Sequence, residues 1–317
     1  MSDLTFREGR AADLEAVFQL GERAWDRSRA ERGLIGHDEA QTDRQLRDRW
    51  AHEKPLLELM TALDGSCFLV CEGSEDSEGI VGYAMVSRFP GMDEMAELWV
   101  APTHAGQGVS RGLLERCWPN SPSPDLGRLV IAVGRPADLT LFTEFGVMPV
   151  SGHWHMRHRV DRYLENRAHE VDSTEPDVHV LTPDRAVEEW SRLEPAAIAH
   201  DRTPLHEFFS RTRNCLATVD DSGAATGLCW VSGQGEIGPG VGQNPEHLIP
   251  VVLAALDRVA KMQEPESFGV HCTTAAWWLM DRLRRLGFRV HWPAWIMSSV
   301  PLPALDRYLA TRPVRLL

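Results

Sequence analysis

No stretch of the chain approaches the ~18 consecutive apolar residues of a membrane span, and the N-terminus lacks the pattern of a secretory signal. Both absences predict a cytoplasmic protein with no membrane partner. None of the six cysteines (Cys67, Cys71, Cys117, Cys215, Cys229 and Cys272) falls in a Cys-x-x-Cys pair. Cys67 and Cys71 lie along one expected strand, too far apart to share a metal, so the expectation is reduced, buried thiols and no metal site. The acidic turn from Gly73 to Gly79 lacks the glycine and spacing of a calcium loop and reads as a solvated hairpin tip. Basic residues are in deficit: 33 Lys and Arg stand against 46 Asp and Glu, a formal net charge of −13. Nucleic-acid phosphates need a basic patch, so nucleic acid is excluded as a partner. An acidic field favours a cationic or neutral acceptor such as an amine, and serves solubility equally well. What remains is ordinary for a soluble globular protein, 43% apolar and 25% charged, and 317 residues favour two domains over one.

The most informative stretch runs from Glu97 to Trp118, ELWVAPTHAGQGVSRGLLERCW. Glu97-Leu98-Trp99-Val100 is a short apolar run with one carboxylate, bounded by Pro102, and reads as a strand. Ala105-Gly106-Gln107-Gly108-Val109-Ser110 is a tight loop of small residues. Val109, Leu113, Leu114 and Trp118 then recur at helical spacing. The first turn of a helix has backbone N–H groups without intrahelical partners, its dipole favours anions, and glycines let a phosphate approach closely. The loop is not a P-loop, because no Lys-Ser/Thr follows the second glycine, and it lacks the G-x-G-x-x-G spacing of a dinucleotide fingerprint.

Strand and loop together resemble motif A of the GNAT superfamily of acyl-CoA-dependent N-acetyltransferases: a strand ending near a Val, often a Pro two residues on, then (Gln/Arg)-x-x-Gly-x-(Gly/Ala) and a helix. The matching positions are Val100, Pro102, Ala105, Gly108 and Ser110. Ala105 replaces the Gln/Arg and Ser110 the last Gly or Ala; both are small. The resemblance covers roughly the first half of the chain. It implies an α/β (α+β) fold whose mixed, mainly antiparallel sheet is flanked by helices, and acetyl-CoA or another acyl-CoA as cofactor. By this resemblance the backbone of Leu98, Trp99 and Val100 pairs with the pantetheine arm, and Gly106, Gln107, Gly108, Val109, Ser110 and Arg111 hold the pyrophosphate, with Arg111 either adding charge or merely solvated.

Taken in order, Leu4 to Glu8 reads as a strand, and Leu14, Val17, Phe18, Gly21 and Trp25 mark a helix face with Asp13 as N-cap. Arg27 to Asp43 is a polar stretch in the region where GNAT folds build the acceptor cleft. Leu46 to Leu63 is helical with an interruption near Pro55. Cys67–Cys71 and Ile80–Arg88 are strands. After the motif come a strand at Leu129–Val133, a short helix at Ala137–Phe145 ending at Gly146, and a strand at Met148–Arg159 expected to finish the first sheet. Glu165 to Asp177 reads as a linker. The second half then repeats the first: Cys67-Phe-Leu-Val matches Cys215-Leu-Ala-Thr, Gly82 to Ser87 matches Gly227 to Ser232, and Gly146 to Met156 aligns without gaps on Gly287 to Met297. Several matches in order at nearly one offset argue for duplication, as in tandem GNAT chains. The expected division is a GNAT domain over 1–164, a linker over 165–177 and a degenerate GNAT-like domain over 178–317. Opposite the loop of the first copy stands the segment Gly235 to Pro245, whose glycines fall in another register and whose Pro239 and Pro245 each remove a backbone donor. It reads as a copy that has lost its pyrophosphate cradle; a divergent working site is the competing reading.

Acyl transfer to an amine needs a held thioester, a neutral amine and a stabilised leaving thiolate. Glu97 is the candidate general base: it shares a strand face with Trp99, and a carboxylate in an apolar strand is desolvated, which raises its pKa. The alternative is that Glu97 pairs with an Arg and holds the sheet, which Glu236 in the second copy supports. The family's acid is a Tyr where this chain has Phe142, and Arg135 stands near the family's Asn. Tyr83, His153 and His155 are the candidates to protonate the thiolate, with His153 and His155 on one strand face. Cys117 reads as core. Trp190, Trp230, Trp277, Trp278, Trp292 and Trp295 are expected to build the second copy's core and the contact between domains, and His200-Asp201 reads as a helix end. The acceptor is expected to be a small-molecule primary amine and the protein a monomer or homodimer. The alternative function is a non-catalytic acyl-CoA-binding sensor or partner subunit.

Overall fold

The computed structural model describes residues 4–31, 42–73, 79–133, 136–170, 176–263 and 265–311. Parts of the polar stretch after Arg27, the tip of the acidic turn, Arg135 and part of the expected linker lie outside the described residues. The chain forms two compact units, one of Met1–Val130 with Arg135–Met148, the other of Ile131–Gly134 with Pro149–Leu317.

The first unit contains β1 (Thr5–Glu8), α1 (Leu14–Glu31), α2 (Asp43–Ala62), β2 (Cys67–Glu72), β3 (Ile80–Phe89), β4 (Met92–Val100), α3 (Val109–Cys117), β5 (Gly127–Ala132, its last residues counted with the second unit) and α4 (Pro136–Glu144). Its sheet order is β1-β2-β3-β4-β5, antiparallel except for the parallel β4–β5 pair. The parallel step follows from the connection, since α3 carries the chain back to the start of β4 before β5 begins. Leu14, Val17 and Phe18 of α1 and Leu57 and Met60 of α2 are buried, as their spacing predicts. Two expectations change. Asp13 does not cap α1; its carboxylate closes the 3₁₀ turn ahead of the helix, accepting from the Arg10 N–H at 2.8 Å and from Arg7 at 2.7 Å. Pro55 does not interrupt α2, which runs through it to Ala62, capped at Thr42 and Gln45. Burial of Leu57 and Met60 beyond the proline offsets the lost backbone hydrogen bond.

The second unit contains β6 (Met148–Arg159), α5 (Val160–Glu170), β7 (His179–Val180), α6 (Pro183–Leu193), α7 (Pro195–Ile198), α8 (Thr203–Thr212), β8 (Arg213–Val219), β9 (Ala225–Ser232), β10 (Ile237–Gly242), α9 (Pro245–Gln263), β11 (Ser267–Thr273), α10 (Trp277–Arg285), β12 (Arg289–Ser298) and β13 (Tyr308–Ala310). Its sheet order is β12-β6-β11-β13-β10-β9-β8-β7. The expectation that Met148–Arg159 finishes the first sheet is therefore corrected: β6 pairs antiparallel with β11, from His153↔Thr273 to Arg159↔Ser267, inside the second unit. Nor is Glu165 the start of a linker, because α5 continues to Glu170 and seats Tyr163, whose hydroxyl donates to Asp257 of α9 at 2.6 Å. The second unit's core is one continuous cluster in which the Leu248, Val251, Val252, Ala255 and Val259 face of α9 meets Cys229, Val231 and Val270 of the sheet.

The order of elements repeats, β2-β3-β4-α3-β5-α4-β6 against β8-β9-β10-α9-β11-α10-β12. Gly146 and Gly287, aligned by sequence, both follow the short helix with positive φ, +78° and +96°. That backbone region favours glycine, so the same residue ends the same helix in each copy. Trp190, Trp230 and Trp292 are buried as expected, whereas Trp277, Trp278 and Trp295 are 65%, 58% and 40% exposed and are not core.

Candidate active site

The site is built on β4. Its register with β3 runs Tyr83↔Trp99, Ala84↔Leu98 and Met85↔Glu97, then jumps to Val86↔Met95, so Ala96 is an extra, bulged residue. The parallel pairing with β5 ends at the same place, at Met95↔Val130. Beyond the bulge, among the described pairings, the ladder of Leu98–Val100 continues only to β3. One edge of this backbone is thus left to pair with an extended chain, which is how a polar arm adds to a sheet.

Side chains alternate across the strand as the sequence predicts. Gly82 of β3 packs against Val100 and Val109 on the α3 face, while Gly21 of α1 packs against Tyr83 and Trp99 on the other. On that second face the Tyr83 hydroxyl donates to the Glu97 carboxylate. Tyr83 is fully buried and Glu97 is 4% exposed. Trp99 meets Trp25 of α1 edge to face, centroids 6.1 Å apart. Only glycine fits at position 21, because a Cβ there would lie 2.4 Å from the Tyr83 hydroxyl oxygen. α1 is tied to α2 close by: Arg49 donates twice to the Glu22 carboxylate, once at 2.9 Å. The structure therefore brings Glu97 together with Tyr83.

The loop from Ala105 to Gly108 is shaped for an anion. Gly106 and Gly108 have φ of +78° and +85°, and no atom lies within 4 Å of where a Cβ would stand on either. Gly108 is the N-cap of α3, and no side chain caps the helix; the first backbone bond into it is Gly112 N–H to the Gly108 carbonyl, at 2.9 Å. The N–H groups of Val109, Ser110 and Arg111 precede that bond and belong to the helix's unsatisfied first turn. Gln107 is exposed and its side-chain amide donates to the Thr103 carbonyl at 3.1 Å. Arg111 pairs with Glu144 at the end of α4, which raises its pKa further; both side chains are about half exposed. Two open glycines and free first-turn amides fit the diphosphate of a coenzyme: a Cβ on either would occupy the space a phosphate needs.

The second unit has no equivalent of this loop: β10 ends at Gly242 and α9 begins at Pro245, with only Gln243 and Asn244 between them. Gly240 and Gly242 lie within β10, where a Cβ on Gly242 would stand 2.4 Å from the Asn244 carbonyl and one on Gly240 would press on Leu248 and Leu309. α9 opens with Pro245, which has no N–H, and Asn244 Oδ1 accepts from His247 N–H at 3.2 Å. Glu236, aligned with Glu97, pairs with Arg213 at 2.9 Å. Leu228 stands where the first copy has Tyr83.

The remaining candidates lie on other elements. His153 and His155 are on β6 in the second unit. His153 is fully buried, and burial pushes its pKa down to about 3 against a smaller opposing pull from the backbone of Thr311, so near neutrality it holds no imidazolium proton to give. His155 stacks on His271 of β11, centroids 4.4 Å apart, and its Nδ1 is 3.3 Å from Nδ1 of His291 on β12. Phe142 is buried in α4. Asp201 accepts from the Thr203 N–H and hydroxyl at the start of α8, the helix-end role expected for it. Sequence reasoning missed Gly21 as the residue that lets α1 reach Tyr83. It also missed a buried polar network: Glu194 accepts from Arg202, from His206 Nε2 at 2.6 Å and from the Tyr308 hydroxyl at 2.9 Å, while Trp230 N–H donates to His206 Nδ1 at 3.1 Å. No spacing rule connects residues so far apart in the chain. Among the described residues no cluster of three or more His, Cys, Asp or Glu is placed to hold a metal, and no helix is long and apolar enough to cross a membrane.

Residues 35–133, which span β2 to β5 and the loop between, match the acetyltransferase (GNAT) family. Over these residues the chain carries a GNAT-type acetyltransferase domain. The likeness to solved structures extends over both halves. A proposed acetyltransferase from Pyrococcus horikoshii is 12% identical with a TM-score of 0.70, over 99% of this chain and 96% of that one. A tandem GNAT protein from the clavulanic acid biosynthesis pathway is 16% identical with a TM-score of 0.58, over 94% and 99%. A GCN5-related N-acetyltransferase from Sphaerobacter thermophilus is 16% identical with a TM-score of 0.53, over 96% and 98%. At these identities the likeness is one of fold. No curated protein matches the chain in sequence.

Proposed function

We propose that the first unit binds an acyl-CoA and transfers its acyl group to the primary amine of a small molecule, by direct attack in a ternary complex, and that the second unit keeps the fold without a working cofactor site. The observation that carries this reading is the contrast between the two strand-to-helix connections: residues 101–108 with open glycines at Gly106 and Gly108 in the first unit, and only Gln243 and Asn244 ahead of Pro245 in the second. The loop from Gly106 to Arg111, through the first-turn amides of Val109, Ser110 and Arg111, holds the diphosphate, and the open edge of Leu98–Val100 pairs with the pantetheine arm. The coenzyme supplies the activated acyl group; the chain supplies position and proton traffic. Glu97 takes a proton from the incoming ammonium so that the amine attacks as a neutral nucleophile. Tyr83, by donating to Glu97, orients that carboxylate and keeps its anionic form satisfied in a buried place. With its hydroxyl so engaged, Tyr83 acts as a positioning residue and not as the acid for the thiolate. The net charge of −13 draws cationic amines toward the protein.

The test is thiol release from acetyl-CoA in the presence of a panel of primary amines. Glu97→Gln should lower kcat about 10²–10⁴-fold, the usual worth of a positioned base, with acetyl-CoA affinity unchanged. An unaltered kcat removes Glu97 from the mechanism. Phe142, which has no proton to give where the family has tyrosine, favours a second reading: a non-catalytic acyl-CoA-binding sensor or partner subunit. Tight acetyl-CoA binding with no thiol release from any amine supports that reading over the first.

A further inference from the structure

We propose that Cys67 and Cys117 are a redox-responsive thiol pair that closes reversibly to a disulfide when the protein meets a hydroperoxide. The two sulfurs are 3.3 Å apart. Cys67 opens β2 and Cys117 closes α3, so the pair bridges two elements that the sequence separates by 50 residues. A disulfide needs about 2.05 Å between sulfurs; the remaining gap is within the reach of small side-chain rotations. All six cysteines are free, and Cys67 alone among them is not buried. The contacts of Cys71, Cys215 and Cys229 are with carbonyl oxygens at 3.6–4.0 Å, so the pairing is particular to Cys67 and Cys117.

The geometry divides the roles. Cys67 is only partly buried while Cys117 is buried, and the contact with Cys117 lowers the Cys67 pKa against the opposing effect of burial. The same contact, with burial, raises the pKa of Cys117. Cys67 is then the attacking thiolate and Cys117 the resolving thiol. The Cys67 thiolate attacks one peroxide oxygen, the O–O bond breaks, and the leaving hydroxide takes up a proton, giving Cys67 sulfenic acid and water. The Cys117 sulfur displaces the sulfenic hydroxyl, which leaves as a second water after taking the Cys117 proton. In sum, two thiols and one peroxide give one disulfide and two waters, and a dithiol reductant reverses the oxidation. The bond would pin the C-terminal end of α3, the helix whose other end is the Gly108 turn, to β2.

The experiment treats the full-length protein with hydrogen peroxide and maps it without reduction. The expected result is a loss of two of the six thiols, a cross-linked peptide joining Cys67 to Cys117, and a melting temperature several degrees higher that dithiothreitol returns to its starting value. Cys67→Ser should keep its thiols under the same treatment. Cys117→Ser should stop at a sulfenic acid on Cys67, trapped by dimedone. Thiol loss without a 67–117 linkage, or Cys67→Ser losing thiols at the wild-type rate, overturns the proposal; the mapping of the unsubstituted protein stands even where a serine variant fails to fold.

Discussion

A carboxylate placed at position 108 gives a quantitative test of the loop. Gly108 has φ of +85°, and nothing lies within 4 Å of the place its Cβ would take. Any L-residue there pays about 1–2 kcal/mol for the left-handed backbone, and it does so without a clash. Gly108→Glu and Gly108→Gln therefore share the backbone cost and nearly the same volume, and differ by one charge. A glutamate about 5 Å from a diphosphate feels repulsion of about 1–3 kcal/mol per phosphate charge for an effective dielectric between water and a protein surface. The glutamate variant should then bind acetyl-CoA about 5- to 150-fold more weakly than the glutamine variant for each charge opposed, enough to remove detectable binding when two are. Calorimetry on the three proteins at ~0.1 M salt reads the difference directly. Repeating it at ~1 M salt, where the screening length falls to about 3 Å, should shrink the gap between the two variants. Equal affinity for the Glu and Gln variants at low salt would refute the placement of the diphosphate at this turn.

Two further outcomes concern the second unit. Glu194 lies at the centre of a network with no exposed side chain; burial alone would raise its pKa, but the Arg202 charge and then the His206 contact more than offset this and hold it below the ordinary carboxylate range. A depressed folded pKa means that the ionised group stabilises the fold above the unfolded value of about 4.3, and that this contribution fades as pH falls below it. Glu194→Gln should cost about 3–5 kcal/mol in chemical denaturation at pH 7, since it removes one charge of a buried ion pair, and should flatten the loss of stability below about pH 4; an unchanged acid slope counts against the network. For His153 the folded pKa of about 3 lies below the unfolded value, so the unfolded chain takes up its proton first as pH falls. Stability on the order of 5 kcal/mol, present above about pH 6.5, should drain away between there and pH 3. Denaturation midpoints of His153→Leu across that range should lose this slope, and an identical slope in the two proteins would show that another group carries the acid sensitivity.

Much of the first unit is legible in the chain because its signals are local. Glu97 to Trp118 places strand, loop and helix within 22 consecutive residues, and turn chemistry alone marks where each begins. Periodicity assigned the faces of β4, with Glu97 and Trp99 on one side and Leu98 and Val100 on the other, and the packing of Gly21 and Gly82 agrees. The repeat was equally readable, since Gly146 and Gly287 serve the same backbone turn. Tertiary structure decided what depends on partners distant in sequence. A strand's own residues state that it pairs, not with which neighbour, so β6 could be recognised as a strand while its place beside β11 could not. The Tyr83 hydroxyl on Glu97, the two sulfurs of Cys67 and Cys117, and the three side chains (Arg202, Tyr308 and Trp230) gathered on Glu194 and His206 are joined only when separate elements pack. Glycines make the point most plainly: the chain spells glycines near both helix starts, but the fold leaves Gly106 and Gly108 open in a loop and packs Gly240 and Gly242 into a strand.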